Sequence, residues 1–394
     1  MMEKTEAAES IRQIVEEEME RQEIPGAAVW LLHKGELIFR ETYGYADIEE
    51  KRPVTEDTIF RLYSLSKPIA AVAAYHQLER GLLDLEAPVA EYLPAFSRMQ
   101  VDTGEKIADA KRLILVKDLL SMTSGLVYPD PDPVGRQMQE VFTMARKRQE
   151  NGIPMSTAQI VDAIASKPLA FQPGERWRYG IGADVMGRII EVTSGSSLGS
   201  FYKREIFEPL GMEDTDFYVP DRKRGRLAQL YSLKEDKTGK KQLSIERERT
   251  IGLTDCLTPP AFESAGAGLL STVRDYAKFA AMLGSHTSAE GSGILGRKTL
   301  ELMARPQLTP EQKDTIYFEQ LKGYSYGNFM RFYQDAGEAG SSGTKGEFGW
   351  DGWTGPYMSV NREEEFVLLF MTQRCGYCNP AFIRKLRNIS YALL

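Results

Sequence analysis

A hydroxyl placed three residues ahead of an ammonium group can carry out acyl chemistry without a histidine. The chain offers that pair as Ser64-Leu65-Ser66-Lys67. The spacing sets both side chains on one side of the first turn of a helix. Pro68 fits there, because first-turn N–H groups have no intrahelical partner. Ile69, Val72, Ala73 and His76 then carry a helical apolar face, and Gly81 supplies a stop. A serine at the positive end of a buried helix, beside an amine whose charge burial disfavours, is a nucleophile with its own base.

Ser-x-x-Lys occurs at Ser64/Lys67, Ser200/Lys203 and Ser342/Lys345. The second lies on a helix with no complementary partner, and the third sits in the glycine-rich stretch 340–346, so context favours the first. A rival nucleophile is Ser197 in Gly195-Ser-Ser-Leu-Gly199, with His286 downstream. That elbow requires a buried strand before the serine and a helix after it. Val185, Ile189, Ile190 and Val192 spell a helical face instead. His33, His76 and His286 have no recognisable partner, which leaves lysine or tyrosine as the base.

The elements around Ser64 follow from pattern. Residues 7–22 read as an amphipathic helix, and 27–32 and 36–40 as two strands about the Lys34-Gly35 turn. From 83 to 262 helical patterns alternate with Pro- and Gly-rich loops. The stretches 128–133 and 234–241 read as exposed loops. Helices are expected at 273–283 and 296–304, strands at 324–333, 357–361 and 366–372, and a last helix at 381–393. Strands at both ends with helices between them give an α+β fold, an antiparallel sheet flanked by helices with an inserted, mostly helical lobe. The expected division is 1–82 plus 263–394 for the first lobe and 83–262 for the second, with the active site in the cleft between them.

Composition narrows the function classes. The 394 residues are 42% hydrophobic and 27% charged, with a net charge of -7, so no basic face invites nucleic acid. No apolar run reaches the length of a membrane span. The N-terminus lacks the basic start and apolar core of a secretion signal, so the expected location is the cytoplasm. The cysteines are Cys256, Cys375 and Cys378. Cys375-Gly-Tyr-Cys378 has neither the further ligands zinc wants nor a redox setting, so neither a metal nor a cofactor is expected. Glu16–Glu18 and Glu363–Glu365 read as solvated faces.

The motifs together resemble the serine β-lactamase and penicillin-binding-protein superfamily, whose class C β-lactamases, D-alanyl-D-alanine carboxypeptidases and family VIII carboxylesterases are the nearest branches. Leu119-Leu-Ser-Met-Thr-Ser-Gly-Leu126, Pro173-Gly174 with Trp177-Arg-Tyr179, Pro209–Thr215, Ser264–Thr272 and Phe348–Gly355 carry the resemblance. It implies Ser64 as nucleophile, Lys67 and Tyr179 as the acid–base pair, with Tyr179 a partial phenolate. It also implies an oxyanion hole from the backbone N–H groups of Ser64 and Trp353. Trp350, Asp351, Gly352, Tyr128 and Trp177 are the expected substrate-binding residues.

Two positions depart from the family pattern. The second motif reads Tyr179-Gly180-Ile181 in place of Tyr-x-Asn, and Tyr179…Asp184 resembles the esterase branch. The third reads Trp350-Asp351-Gly352 in place of Lys-Thr-Gly, which removes the cation that would meet a β-lactam carboxylate. Asp351 itself reads as a solvated acid at a strand end. The implied function is a serine hydrolase of carboxylesterase type, acting through an acyl-enzyme on a small-molecule ester or amide. A D-amino-acid or D-peptide amidase or carboxypeptidase with weak β-lactamase activity, and a penicillin-recognising sensor with little turnover, are the alternatives. The natural acyl group and the oligomeric state stay open.

Overall fold

Lys34 and Gly35 both take positive φ, 53° and 78°, the pair of angles that folds two strands back on each other in a two-residue turn. They join β1 (Gly26–His33) to β2 (Glu36–Asp47). β1 is buried along nearly its whole length because it lies inside the sheet, paired on its other side with Phe366–Met371. The computed structural model describes residues 4–235, 237, 239, 241–247, 256–285 and 294–394.

Among the described residues the main sheet has eight strands in the order Tyr324–Gly327, Met330–Tyr333, Phe348–Asp351, Tyr357–Asn361, Phe366–Met371, β1, β2 and β3 (Arg52–Pro53). Neighbours are antiparallel throughout, so the two ends of the chain share one sheet. α1 (Lys4–Glu20) and the helix Pro380–Tyr391 cover one face. There Ile11, Val15, Phe382 and Leu386 meet Val29, Leu31, Leu368 and Phe370. The opposite face meets α2 (Lys67–Glu79) and Val273–Gly284 in a core that includes Trp30, Met358 and Leu369. This is the α+β arrangement expected from the sequence.

α2 departs from expectation in one respect. Every residue from Lys67 to Gln77 is buried, not one face alone. Ala70, Ala71, Ala73 and Ala74 let neighbours approach from all sides, among them the helix Gly182–Ser194. The chain turns out of the helix at Gly81, φ 68°. Two other stretches are more structured than they read. Residues 324–333 form a hairpin turning at Asn328-Phe329. The charged loop is the end of a hairpin, Tyr231–Glu235 with Lys241–Ile245, part of whose tip lies outside the described residues.

The rival nucleophile loses its scaffold. Ser197 follows the helix Gly182–Ser194 through the left-handed Gly195 and caps Leu198–Tyr202 by accepting from Ser200 N–H. No strand precedes it, as an elbow would require. His286 lies outside the described residues. Among the described residues no helix is long and apolar enough to cross a membrane.

Candidate active site

Ser64 is presented by a short 3-10 helix, Tyr63–Ser66, that runs directly into α2. Tyr63 has φ 45°, a left-handed conformation that costs a bulky residue about 1–3 kcal/mol and persists only where surroundings enforce it. They do. Leu62 N–H donates to Leu269 O at 2.9 Å, and the Tyr276 hydroxyl donates to Leu65 O at 2.7 Å. Leu269 N–H donates to Ser66 Oγ at 3.1 Å, and the Thr354 hydroxyl to Arg61 O at 3.0 Å.

Lys67 is fully buried. Its Nζ donates to Ser64 Oγ at 3.1 Å, to the Tyr128 hydroxyl at 3.0 Å and to Gly266 O at 2.8 Å. Burial brings its pKa down to about 7, against the opposing pull of the Asp184 and Asp351 carboxylates. The amine is therefore about half neutral near neutral pH, which is what a general base needs.

Tyr179 lies over the same ammonium, its ring centroid 4.9 Å from Nζ. Its hydroxyl hydrogen-bonds Ser64 and accepts from Trp350 Nε1–H at 3.0 Å. Enclosure raises its pKa. The bonds to Ser64 and Trp350 work against that rise, and Asp351 and Asp184 add to it. That rise works against the partial phenolate expected from sequence. Trp350 orients the hydroxyl but brings no cation to stabilise an anion.

The expected substrate-binding residues divide by position. The Tyr128 hydroxyl is engaged by Lys67, and its ring packs 5.5 Å from that of Tyr179. Arg178 holds this pairing together by bonding Asp130 at 3.0 Å and also Asp132. Trp177 is 1% exposed and stands behind Tyr179 among Phe318 and Tyr326, so its ring supports the tyrosine and forms no cleft surface. Trp350 is also buried.

Strand alternation turns Asp351 to the face opposite Trp350. There it meets Arg331 at 2.9 Å, and Arg331 stacks 4.2 Å from the Tyr357 ring. Asp351 is paired and not a free solvated acid. Behind it lies a cavity of about 310 Å³ whose wall includes Tyr324, Tyr357, Tyr377 and Cys378. Gly352 is a close-approach glycine, since a Cβ there would lie 2.2 Å from Leu62 O. Trp353 is the exposed aromatic of the group, 43% exposed, with its ring 5.3 Å from that of Tyr63.

One residue has more contacts than sequence disclosed. Asp184, noted there only for its spacing from Tyr179, is buried in the first turn of Gly182–Ser194. Its Oδ1 accepts from the Ser264 hydroxyl at 2.6 Å and from Gly266 N–H at 3.1 Å. Among the described residues Cys256, Cys375 and Cys378 form no disulfide, and burial raises the pKa of Cys375 to about 12. Such a thiol is a poor nucleophile near neutral pH.

A family model described as Beta-lactamase matches residues 11–387. Protein Rv1367c of Mycobacterium tuberculosis is 32% identical over 297 residues, 74% of this chain and 70% of its own length. Esterase EstB of Burkholderia gladioli is 32% identical over 214 residues, 54% of this chain and 52% of its own length. The solved structure of EstCE1, described as a hydrolase with promiscuous acyltransferase activity, matches with a TM-score of 0.82 at 23% identity. That match covers 98% of this chain and 99% of EstCE1 and speaks for the fold.

Proposed function

Because the chain belongs to the Beta-lactamase family and is a serine hydrolase of that type, we propose that it cleaves small-molecule carboxylic esters through a Ser64 acyl-enzyme. The observation that carries this reading is the buried Lys67 amine, 3.1 Å from Ser64 Oγ and with its pKa lowered to about 7. Ser64 Oγ attacks the ester carbonyl while neutral Lys67 takes the hydroxyl proton. Tyr179, bonded to Ser64 and held by Trp350, gives its hydroxyl proton to the departing alkoxide and is reprotonated by the Lys67 ammonium, which returns the amine to its neutral form. The backbone N–H groups of Ser64 and Trp353 receive the oxyanion, an interaction whose loss costs about 10²–10³ in rate. Water, or an acceptor alcohol, then resolves the ester of Ser64.

The cleft between lobes 1–82 plus 263–394 and 83–262 belongs to this proposal. Esterase EstB and EstCE1 support it by name and likeness. The neutral Trp350 indole at the third motif weighs against a β-lactam carboxylate as the preferred ligand.

Hydrolysis of p-nitrophenyl butyrate by the wild type and by Ser64→Ala tests the reading. Turnover that disappears in Ser64→Ala supports it. Turnover that survives the substitution overturns it.

A further inference from the structure

The Gly266 carbonyl that receives a Lys67 proton at 2.8 Å belongs to a turn built around a single side chain. Asp184 Oδ1 takes both the Ser264 hydroxyl and the Gly266 N–H. The turn closes on itself through Gly268 N–H to Ser264 O at 2.8 Å and Ala267 N–H to Ser264 Oγ at 3.1 Å. Asp184 is 1% exposed, and its Oδ2 has no hydrogen-bond partner among the described residues. Gly266 leaves room beside that oxygen. A Cβ there would lie 2.9 Å from Oδ2 and 3.3 Å from the Tyr128 hydroxyl, the same hydroxyl that Lys67 engages. A buried carboxylate with an oxygen unused is costly, and its place at a helix N-terminus offsets part of that cost.

We propose that Asp184 is a positioning residue for Lys67. One oxygen fixes the 264–268 turn that receives a lysine proton, and the other supplies the negative charge against which the lysine titrates. The inference rests on the Ser64–Lys67 chemistry proposed above. The groups around Lys67 are Ser64, Tyr128, Tyr179, Asp184 and Asp351, and the Asp184 charge also raises the pKa of Tyr202. Burial raises the pKa of Asp184 itself, and its bond from Ser264, the Lys67 charge and the Gly266 N–H work against that rise. Asp351 already has Arg331 as partner. Asp184 has no ion pair with an arginine or second lysine among the described residues, so its charge acts on Lys67.

The sign is fixed. Burial lowers the proton affinity of Lys67 and Asp184 raises it. Removing the charge lets Lys67 lose its proton at lower pH. Asp184→Asn keeps an oxygen for Ser264 and Gly266 but no charge. Its kcat/KM for p-nitrophenyl butyrate rises with pH at a midpoint lower than wild type by at least about half a unit.

NMR of lysine-labelled protein, with the Lys67 signal assigned by its loss in Lys67→Arg, reads the same shift without turnover. Ser264→Ala keeps the charge and loosens the turn, so kcat falls while the midpoint stays. A folded Asp184→Asn with the wild-type midpoint overturns the inference. Should Asp184→Asn not fold, an unchanged kcat in Ser264→Ala overturns it. If the wild type hydrolyses no ester, the proposed function falls while the NMR titration still decides Asp184. If Ser64→Ala abolishes turnover and Asp184→Asn titrates as wild type, the function stands and this inference falls.

Discussion

Replacing Gly352 by alanine tests how the nucleophile is set against the sheet. The added Cβ would sit 2.2 Å from Leu62 O and 2.7 Å from Pro356 Cγ, where ordinary contacts begin near 3.4 Å. The segment before Ser64 and the end of the Phe348–Asp351 strand must therefore part by about 1 Å. Leu62 stands just ahead of Ser64 and Gly352 just ahead of Trp353, so the opening falls between the two proposed oxyanion donors. A misplacement of about 1 Å costs roughly 10² in rate, close to the loss of one donor outright. Overpacking adds about 1–3 kcal/mol of destabilisation.

The assay is kcat and KM for p-nitrophenyl butyrate beside thermal unfolding, with Gly195→Ala as control. Gly195 has φ 67° and nothing within 4 Å of an added Cβ, so its alanine variant loses about 1 kcal/mol of stability and keeps its activity. A folded Gly352→Ala whose kcat stays within a few-fold of wild type would refute the reasoning.

Two further substitutions probe other parts of the arrangement. Trp350→Phe keeps an aromatic ring against Tyr179 and Tyr326 but removes the 3.0 Å bond to the Tyr179 hydroxyl. Its kcat should fall about 5- to 10-fold, the worth of one net hydrogen bond, with little change in melting temperature. An unchanged kcat would remove the indole from the mechanism. Arg387→Leu strands Glu347 behind the sheet, where both partners are almost fully buried, and should cost about 3–5 kcal/mol in urea unfolding. Burial raises the Glu347 carboxyl, but Arg387 and its hydrogen bonds override that and hold it below the ordinary value. The wild-type contribution is thus complete above the ordinary glutamate pKa and is lost as pH falls through the lowered one, a slope that Arg387→Leu should lack.

What the sequence disclosed was local. Lys34-Gly35, Gly81 and the apolar runs of the terminal strands each carry their own conformational reason, and each lies where it was expected. The Ser64–Lys67 spacing is equally local, and the two side chains do meet. Partnerships across the fold were not readable. Asp351 looked solvated because Arg331 reaches it only through the register of neighbouring strands. Trp177 looked like a cleft wall because polarity does not say on which side of Tyr179 a ring will lie. Asp132 is a helix cap. It accepts from Val134 and Gly135 N–H and opens the 18-residue helix Pro133–Glu150, yet the prolines around it read as loop. Asp184 was visible by spacing, but its contacts require a turn that lies 80 residues further along the chain.

The exchange of lysine for Trp350 at the third motif has a consequence for acid–base chemistry that the geometry makes explicit. A cation at that position would lower the pKa of Tyr179, whereas an indole N–H orients the hydroxyl without offsetting its burial. Asp351 brings a carboxylate, whose charge raises the pKa of Tyr179 further. Enclosure raises the pKa values of Tyr179 and Tyr128, whereas it lowers that of Lys67 to about 7. In the mechanism we propose, base strength therefore comes from a lysine of modest pKa, and proton return from a neutral phenol. An ester suits that division, because an alkoxide leaves with less protonation than the nitrogen of an amide requires.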